Sequence, residues 1–275
     1  IDGLYSERVK NKNQYVDLKK KLSKLTPDTD EYKTCKFNME RADTIQHVIK
    51  ILLNSIYGVF ANKFSPICDS DHAGSITLTG QSVVKQASDI IDQYAKEKFG
   101  WSGKSLTIYN DTDSTHVTIQ PLLEQMKLNI LTDNKVNKEG LKFIDDELGV
   151  YLNNNIKQWA KDKLNSVDPR YFFKRESICD VGVYLEKKRY IIHVLNDEGA
   201  DVSKFKYVGV EIARSTTPKK AKELIKKVIE NSLIAQDQGK ANTLYREVYD
   251  SFKSLTIDDV AIRGGLSDLE KHEVR

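Results

Sequence analysis

Residues 105–119 read SLTIYNDTDSTHVTI, two strand-prone runs on either side of the polar segment 110–114. β-Branched and aromatic residues favour strands, whereas Asn, Asp and Ser favour the turn between them. The stretch therefore predicts a β-hairpin that carries Asp111 and Asp113 at its tip. Side chains two positions apart on a strand project the same way, so we expect both carboxylates on one side.

Two carboxylates held this close repel each other unless a cation lies between them. Mg²⁺ suits the position, since it is bound by one or two carboxylates together with substrate phosphates. An ordinary acidic turn explains the same residues, because Asp favours turns on its own account and short acidic motifs are common. The hairpin alone leaves both interpretations open.

Helical patterns flank the hairpin on both sides. Two helices joined by a polar turn predict an antiparallel helical hairpin at the start of the chain. The order of helices, then mixed elements, then helices predicts an α+β fold. The predicted helices are 4–25, 38–62, 75–99, 141–164 and 218–253, and the further predicted strands are 180–195, broken at 186–189, and 206–213.

Composition excludes some classes of protein. The 275 residues include 39% hydrophobic and 30% charged residues, which is typical of a soluble globular protein. No run approaches the roughly 18 apolar residues that span a bilayer, so no membrane partner is expected. Three widely spaced cysteines predict a reducing cytoplasm, the host cytoplasm if the protein is viral. A net charge of +3 neither establishes nor excludes a nucleic-acid partner.

The second predicted helix has two kinds of face. At about 100° per residue, one apolar stripe forms, and Lys50, Asn54 and Tyr57 fall together on roughly the opposite side. A cation, an amide and a phenol on one exposed face can bind a phosphate, a ribose and a base edge, and Gly58 leaves room beside them. A merely solvated face is the alternative. The stripe consists of Ile45, Val48, Leu52, Ile56 and Val59.

Further cations lie on the first helix and in the later strand region. Arg8 and Lys12 are four positions apart, a mildly unfavourable spacing for like charges that a polyanionic ligand would explain. If the two helices form a hairpin, these residues and Lys50 can converge on one triphosphate. Residues 187–190, KKRY, predict a turn that contacts a nucleic-acid backbone. A lysine-rich soluble helix and a charged edge turn are the alternatives.

Three ordered segments resemble the signatures of family B DNA polymerases. Residues 50–58, KILLNSIYG, resemble the KxxxNSxYG signature, residues 109–114, YNDTDS, resemble YGDTDS, and KKRY at 187–190 resembles a further family element. The likeness extends over nearly the whole chain, and residues 209–219 resemble the replicative branch of large tailed bacteriophages. Asn110 stands where the family commonly has Gly, and Asn tolerates left-handed backbone well enough for the hairpin to form.

The resemblance implies a domain organisation and a role for each motif. Residues 1–62 would be the helical-hairpin fingers, residues 63–214 a palm with an antiparallel sheet and packed helices, and residues 215–275 the start of a helical thumb. The implied nucleotide-binding residues are Arg8, Lys12, Lys50, Asn54, Tyr57 and Gly58. The implied metal ligands are Asp113, which is essential, with Asp111 secondary, and Glu176. Catalysis would depend on Asp113, Asp111 and Lys50, and the implied DNA-binding residues are Lys187, Lys188, Arg189 and Tyr190.

The implied reaction is attack of a primer 3′-hydroxyl on the α-phosphorus of a dNTP, assisted by two Mg²⁺ ions, with release of pyrophosphate. Primer-template DNA and a sliding clamp are the implied macromolecular partners. The family's other metal-binding aspartate belongs to a DxxSLYPS segment, which residues 1–275 do not contain, and the exonuclease motifs are missing too. We therefore expect a split or clipped polymerase that needs an N-terminal polymerase/exonuclease portion and is inactive alone.

Two other classes of protein fit parts of the pattern. A non-catalytic nucleic-acid-binding protein would keep the fold, but the intact acidic and cationic sets argue against loss of catalysis. A glycosyltransferase with a DxD motif would carry a nucleotide-sugar domain, in which the helical hairpin has no place.

Overall fold

The fold is described from a computed structural model that covers residues 1–132 and 135–262. Over these residues helices alternate with small antiparallel sheets, so the predicted α+β class is confirmed. The helices are α1 (Asp2–Leu22), α2 (Asp30–Ala61), α3 (Ser70–Phe99), α4 (Gln120–Met126), α5 (Lys138–Leu141), α6 (Gly149–Leu164), α7 (Lys219–Ala235), α8 (Gln238–Phe252) and α9 (Ile257–Val260). A π-helical stretch, Lys142–Leu148, joins α5 to α6.

The strands form three small sheets. β1 (Thr107–Asp111) pairs with β2 (Ser114–Val117), and β3 (Leu131–Thr132) pairs with β4 (Lys135–Val136). The third sheet has the order β5 (Ser177–Glu186), β6 (Arg189–Asp197) and β7 (Ala200–Val208). A 3₁₀ turn, Glu211–Ala213, follows the last strand.

The chain divides into two compact units. The first contains Ile1–Ser177 and the hairpin end Asn196–Asp201, and the second contains Ile178–Leu195 and the described residues from Val202 onward. The predicted fingers, palm and thumb boundaries stay predictions, and residues 263–275 of the predicted thumb lie outside the described residues.

In the first unit, α1 and α2 form the helical hairpin that the sequence predicted. Thr29 caps the start of α2 by accepting a hydrogen bond from the N–H of Tyr32, and Lys21 pairs with Glu31 across the connecting turn at 2.9 Å. The Cys35 thiol, which is buried, lies 3.5 Å from the Leu18 carbonyl oxygen. These contacts near the turn fix the two helices as antiparallel neighbours.

The core of the first unit is built around α3. This helix begins at an Asp69 cap and ends at Gly100, whose φ of +64° is a left-handed value that glycine adopts without steric cost. Its buried face repeats at helical spacing and packs against β1, β2, α4 and α6. The fully buried members of this core include Ala87, Ala95, Leu122 and Ile156.

The second unit contains most of the three-stranded sheet, whose central strand is β6. His193 on this strand is buried, and its ring nitrogens lie 2.8 Å from an Asp180 carboxylate oxygen and 3.1 Å from the Ser203 hydroxyl. One histidine thus bridges all three strands. A second core cluster of Ile191, Val210 and Ile212 packs against the side chains of α7.

The structure changes several predicted element boundaries. α2 begins eight positions before the predicted start, and α3 begins five positions earlier. The predicted strand 206–213 is wrong in its second half, because β7 ends at Val208 and Gly209 has a left-handed φ of +64°. The predicted helix 218–253 is two helices, interrupted at Gln236, which also has positive φ.

Within the described part of the chain, none of the helices combines the length and the apolar character that crossing a membrane requires.

Candidate active site

The polar face of α2 is exposed in the structure, as the sequence predicted. Lys50, Asn54 and Tyr57 lie on one side of the helix, while Ile49 on another side is buried against the rest of the first unit. A side chain added at Gly58 would meet nothing within 4 Å. The face therefore offers a cation, an amide and a phenol to an incoming molecule, with open space beside them.

The apolar stripe on α2 is largely exposed, although the apolar face of an amphipathic helix is normally buried. Val48 is 58% exposed and Leu52 is 48% exposed, and Val59 is exposed as well. Only Ile45 and Ile56 are half-buried. The physical reason is that α2 packs through Cys35, Ala42 and Ile49, a row rotated away from the stripe, so the helix has an apolar face in addition to its buried and polar faces.

Arg8 and Lys12 lie on one face of α1, and both are half-buried. The Arg8 Nε atom is buried and has no hydrogen-bond partner among the described residues. A buried guanidinium nitrogen in this state pays a desolvation cost that an acceptor would offset.

Lys12 brings two predicted site residues together. Its Nζ lies 3.9 Å from a carboxylate oxygen of Glu176 and 3.0 Å from one of Glu198. Glu176 was predicted as a metal ligand and Lys12 as a nucleotide ligand, and the structure makes them neighbours. The sequence analysis missed Glu198, although the segment NDEG at 196–199 is a turn signal that could have drawn attention to it.

The acidic tip is a tight turn between β1 and β2. Asp111 is the last residue of β1 and pairs with Ser114, so Thr112 and Asp113 form the turn. The Thr112 hydroxyl donates to an Asp111 carboxylate oxygen at 3.0 Å, and Asp113 is exposed. Strand alternation does not set the direction of the Asp113 side chain, because Asp113 lies in the turn and not on a strand.

The left-handed residue of this hairpin is Thr112, with φ of +52°, rather than Asn110. Asn110 lies within β1, and its side-chain amide donates to the Ser88 hydroxyl of α3 at 3.0 Å. The residue that replaces the family's usual glycine therefore anchors the hairpin to the core helix.

The donor set at the tip fits part of a magnesium site. Two carboxylates are what Mg²⁺ takes from a protein when phosphates and water supply its remaining ligands. Within residues 1–132 and 135–262, no group of three or more His, Cys, Asp or Glu side chains is gathered for a metal ion. Asp111, Asp113 and Glu176 are thus not brought together as one cluster.

In the second unit, the predicted DNA-binding segment forms the turn between β5 and β6. Lys187 and Lys188 are exposed in this turn. Arg189 is half-buried and donates to the Glu211 carboxylate at 3.0 Å, while Tyr190 is buried and stacks on Tyr184. Lys187 and Lys188 are therefore the exposed members of this segment, and Arg189 and Tyr190 are its more buried members.

Gly209 packs against this turn. A Cβ atom at position 209 would lie 2.0 Å from the Lys188 carbonyl oxygen, so the backbone requires glycine there. The Glu211 carboxyl has its pKa lowered by a hydrogen bond from its own backbone N–H and by the charges of Arg189 and Arg214. The pair between Arg189 and Glu211 thus holds its charged form at neutral pH.

Comparison with known proteins finds one family whose sequence model matches part of this chain. Residues 17–143 match the family described as DNA polymerase family B, a range that includes Lys50, Asn54, Asp111 and Asp113. The resemblance to family B DNA polymerases is therefore confirmed for residues 17–143.

Similar proteins extend the match over most of the remaining residues. The DNA-directed DNA polymerase of Escherichia phage RB69 is 23% identical over 94% of this chain, and that of Enterobacteria phage T4 is 24% identical over 84%. The DNA polymerase of Thermococcus sp. (strain 9oN-7) is 28% identical over 75% of it. The chain spans 30%, 27% and 22% of these relatives, respectively. The chain is thus similar to one segment of each of these DNA polymerases.

Proposed function

We propose that this chain forms the nucleotide-binding and metal-binding part of a family B DNA polymerase that carries out template-directed DNA synthesis. The observation that carries the proposal is the contact of Lys12 with Glu176, which makes a predicted phosphate ligand and a predicted metal ligand neighbours. The exposed Lys50, Asn54 and Tyr57 of α2 support it, since they leave a polar face open to a nucleotide.

In the proposed reaction, the 3′-hydroxyl of a primer attacks the α-phosphorus of a dNTP. The new P–O bond replaces the bond to the leaving group, and pyrophosphate departs. Arg8, Lys12 and Lys50 would bind the triphosphate and balance its negative charge, a role suited to positive side chains on neighbouring helices. Asn54 and Tyr57 would orient the sugar and the base, with Gly58 leaving room for the nascent base pair.

Asp113 and Asp111 would hold Mg²⁺. When bound, two such ions activate the attacking oxygen and neutralise the negative charge of the leaving pyrophosphate. Positioning and charge balance dominate phosphoryl transfer, so few side chains need to act as acids or bases. Lys187 and Lys188 would contact the phosphates of the primer-template DNA without reading its sequence.

We further propose that synthesis requires a second protein portion that supplies the other metal-binding aspartate and the exonuclease. Two observations support this requirement. The chain spans under a third of its phage relatives. The apolar stripe on α2 is largely exposed, and such a stripe normally packs against another protein surface.

A primer-extension assay tests the proposal. We expect extension only when the chain is mixed with the N-terminal portion of a related polymerase, and we expect Asp113→Ala to abolish it. Asp146→Ala is the matched control, because Asp146 is an exposed carboxylate on the π-helical stretch, outside the site. Robust synthesis by the chain alone would disprove the need for a second portion.

Mg²⁺-dependent binding of a dNTP, measured in the same variants, separates catalysis from a binding role. Binding that is lost in Lys50→Met supports the nucleotide site on α2. Binding of DNA with no dNTP binding in any variant would favour a non-catalytic nucleic-acid-binding protein instead.

A further inference from the structure

The turn between β6 and β7 has an unusual composition. Glu198 and Gly199 both have positive φ, at +54° and +89°. Two-residue hairpin turns of this kind favour Asn or Gly at the first position, and a glutamate there costs conformational free energy. Non-glycine residues held in the left-handed region often serve a function, which directs attention to what the Glu198 side chain does.

The backbone of this turn is firmly fixed in the first unit. The Glu198 N–H donates to the Glu176 carbonyl oxygen at 2.6 Å. The Asn196 side chain, almost fully buried, accepts hydrogen bonds from the Gly199 N–H at 3.1 Å and from Arg175 at 2.9 Å. These hydrogen bonds fix the backbone position of Glu198.

The Glu198 carboxylate is directed at α1. It lies 3.0 Å from Lys12 Nζ, and its side chain is only 14% exposed, against 34% for that of Lys12. This exposure is lower than is usual for a surface ion pair, so water screens the pair less. Lys12 is thus held by an acidic residue of the protein itself.

A second ion pair supports the same turn. Lys19, two turns further along α1, donates to the Asp197 carboxylate at 2.8 Å. Burial lowers the pKa of Lys19, but the hydrogen bond and the charge of Asp197 outweigh that effect and raise it. The turn and α1 also approach closely at Gly199, where an added Cβ would lie 2.9 Å from the Lys20 side chain.

We propose that Glu198 is a positioning residue that competes with the nucleotide for Lys12. The positive charge of Lys12 is shared when a triphosphate approaches it, and the half-buried Glu198 carboxylate and the triphosphate repel each other, so nucleotide binding displaces Glu198 from Lys12. The free energy of the ion pair is then lost on binding, so the apparent affinity equals the intrinsic affinity multiplied by the fraction of molecules in which Lys12 is free of Glu198. Glu198 thereby keeps Lys12 ordered before the nucleotide arrives and limits how tightly the nucleotide binds. This inference rests on the proposed function of Lys12.

Equilibrium titration with a fluorescent dATP analogue and Mg²⁺ tests the competition. We expect Glu198→Gln, which keeps the side-chain length at the positive-φ position, to tighten binding roughly threefold, as loss of a part-exposed ion pair allows. In the Lys12→Met background, Glu198→Gln should change the dissociation constant by less than a factor of about 1.5, because the group competed for is gone.

Asp197→Asn is the matched control, since it removes one negative charge from the same turn but pairs with Lys19 instead of Lys12. It should tighten binding less than Glu198→Gln does. A purely structural role for Glu198 predicts the same effect of Glu198→Gln with and without Lys12, and that outcome would overturn the inference.

The two proposals fail in different ways. If wild-type protein binds the nucleotide, Lys50→Met weakens binding and Glu198→Gln leaves it unchanged, the proposed nucleotide site stands and the competition is disproved. If neither wild type nor Glu198→Gln binds the nucleotide, both the nucleotide site of this chain and the competition are disproved. Binding that appears only in Glu198→Gln supports both.

Discussion

The backbone N–H of Asp113 donates a hydrogen bond of 2.6 Å to the carbonyl oxygen of Asp111. These two residues are the ends of a three-residue turn whose middle residue, Thr112, has φ of +52°. A turn of this type with a left-handed middle residue is rare and strained, and a β-branched side chain increases the strain. The spacing of the two carboxylates is therefore set by a backbone conformation that the rest of the hairpin imposes.

Replacing Thr112 should relieve this strain. In Thr112→Asn the new residue tolerates left-handed backbone better, so we expect the free energy of unfolding to rise by about 1 kcal/mol. Urea denaturation followed by circular dichroism measures the change.

Thr115→Asn is the control, because Thr115 lies within β2, where the backbone is extended. Asn is a poor strand residue, so this variant should lose up to about 1 kcal/mol of stability. A similar stabilisation in both variants would show that backbone strain at Thr112 is not the cause.

The sequence predicted this hairpin because its signal is local. Alternating strand residues and a cluster of turn residues occur within 105–119, and β1 and β2 form there. The position of strain was not predictable in the same way. Which turn residue takes positive φ depends on the register between Asp111 and Ser114, which is determined only when the strands pair.

The faces of α2 show where sequence reasoning ends. Helical periodicity correctly grouped Lys50, Asn54 and Tyr57, since that grouping needs only the angle per residue. Which apolar row becomes buried depends on how α2 packs, and the row through Ile49 is buried while Val48 is exposed. The hydrophobic pattern contains both rows, so tertiary packing had to decide between them.

The contact of Lys12 with Glu198 was beyond prediction for a similar reason. The two residues are far apart in sequence, and nothing in the local pattern of either segment links α1 to the turn between β6 and β7. By contrast, the motif residues could be found because the family signatures are short, ordered segments that the chain preserves.

A pH dependence follows from the hydrogen bond between Tyr151 and Glu97. The Tyr151 hydroxyl donates to the Glu97 carboxylate at 2.7 Å, which links α6 to α3. Burial, followed by this hydrogen bond and the charge of Glu97, raises the pKa of Tyr151 to about 12. The stabilising effect of the neutral phenol is therefore fully present below the ordinary tyrosine pKa of about 10 and is lost as pH rises through about 12.

Absorbance of the tyrosinate band against pH checks this expectation. Subtracting the titration curve of Tyr151→Phe from that of the wild type isolates one phenol, and its midpoint should lie near pH 12. Tyr249→Phe, at an exposed position on α8, serves as the control because it leaves that step in place. A difference curve centred near pH 10, the ordinary tyrosine value, would contradict the structural explanation.

The exposed lysines of the turn between β5 and β6 give a prediction about DNA. If Lys187 and Lys188 contact phosphates, the double variant Lys187→Ala/Lys188→Ala should bind primer-template DNA more weakly whatever its sequence. The slope of log affinity against log salt should also fall by roughly one for each lysine removed. Filter binding or fluorescence anisotropy at several salt concentrations measures both effects.

A charge-matched pair on α6 provides the comparison. Lys161 and Lys163 are exposed there, and neither belongs to the predicted DNA-binding set. Lys161→Ala/Lys163→Ala should leave the salt slope nearly unchanged. Equal losses of slope in the two double variants would mean that overall positive charge, and not the turn, attracts the DNA.

The apolar stripe of α2 yields a prediction about the second polymerase portion. Val48 and Leu52 are about half exposed, so replacing both with Gln removes little buried surface from this chain. We expect the free energy of unfolding of Val48→Gln/Leu52→Gln to stay within about 0.5 kcal/mol of the wild type, as for most surface substitutions. If the stripe is a docking surface, the same variant should lose primer extension in the mixture with the N-terminal portion.

Ile49→Gln separates docking from folding, because Ile49 is adjacent in sequence but buried. A buried polar group without a partner destabilises a protein by about 1 to 3 kcal/mol. The free energy of unfolding of Ile49→Gln should therefore already be lower than that of the wild type in the denaturation experiment. Adding excess N-terminal portion should restore extension by the stripe variant, since weakened association is overcome by mass action. If the stripe variant extends primers normally when the amount of the N-terminal portion is limiting, docking through α2 is contradicted. Loss that excess partner cannot restore would point to an effect on the polar face of the same helix, where Lys50 lies two positions from both Val48 and Leu52, about 3 Å of helix rise.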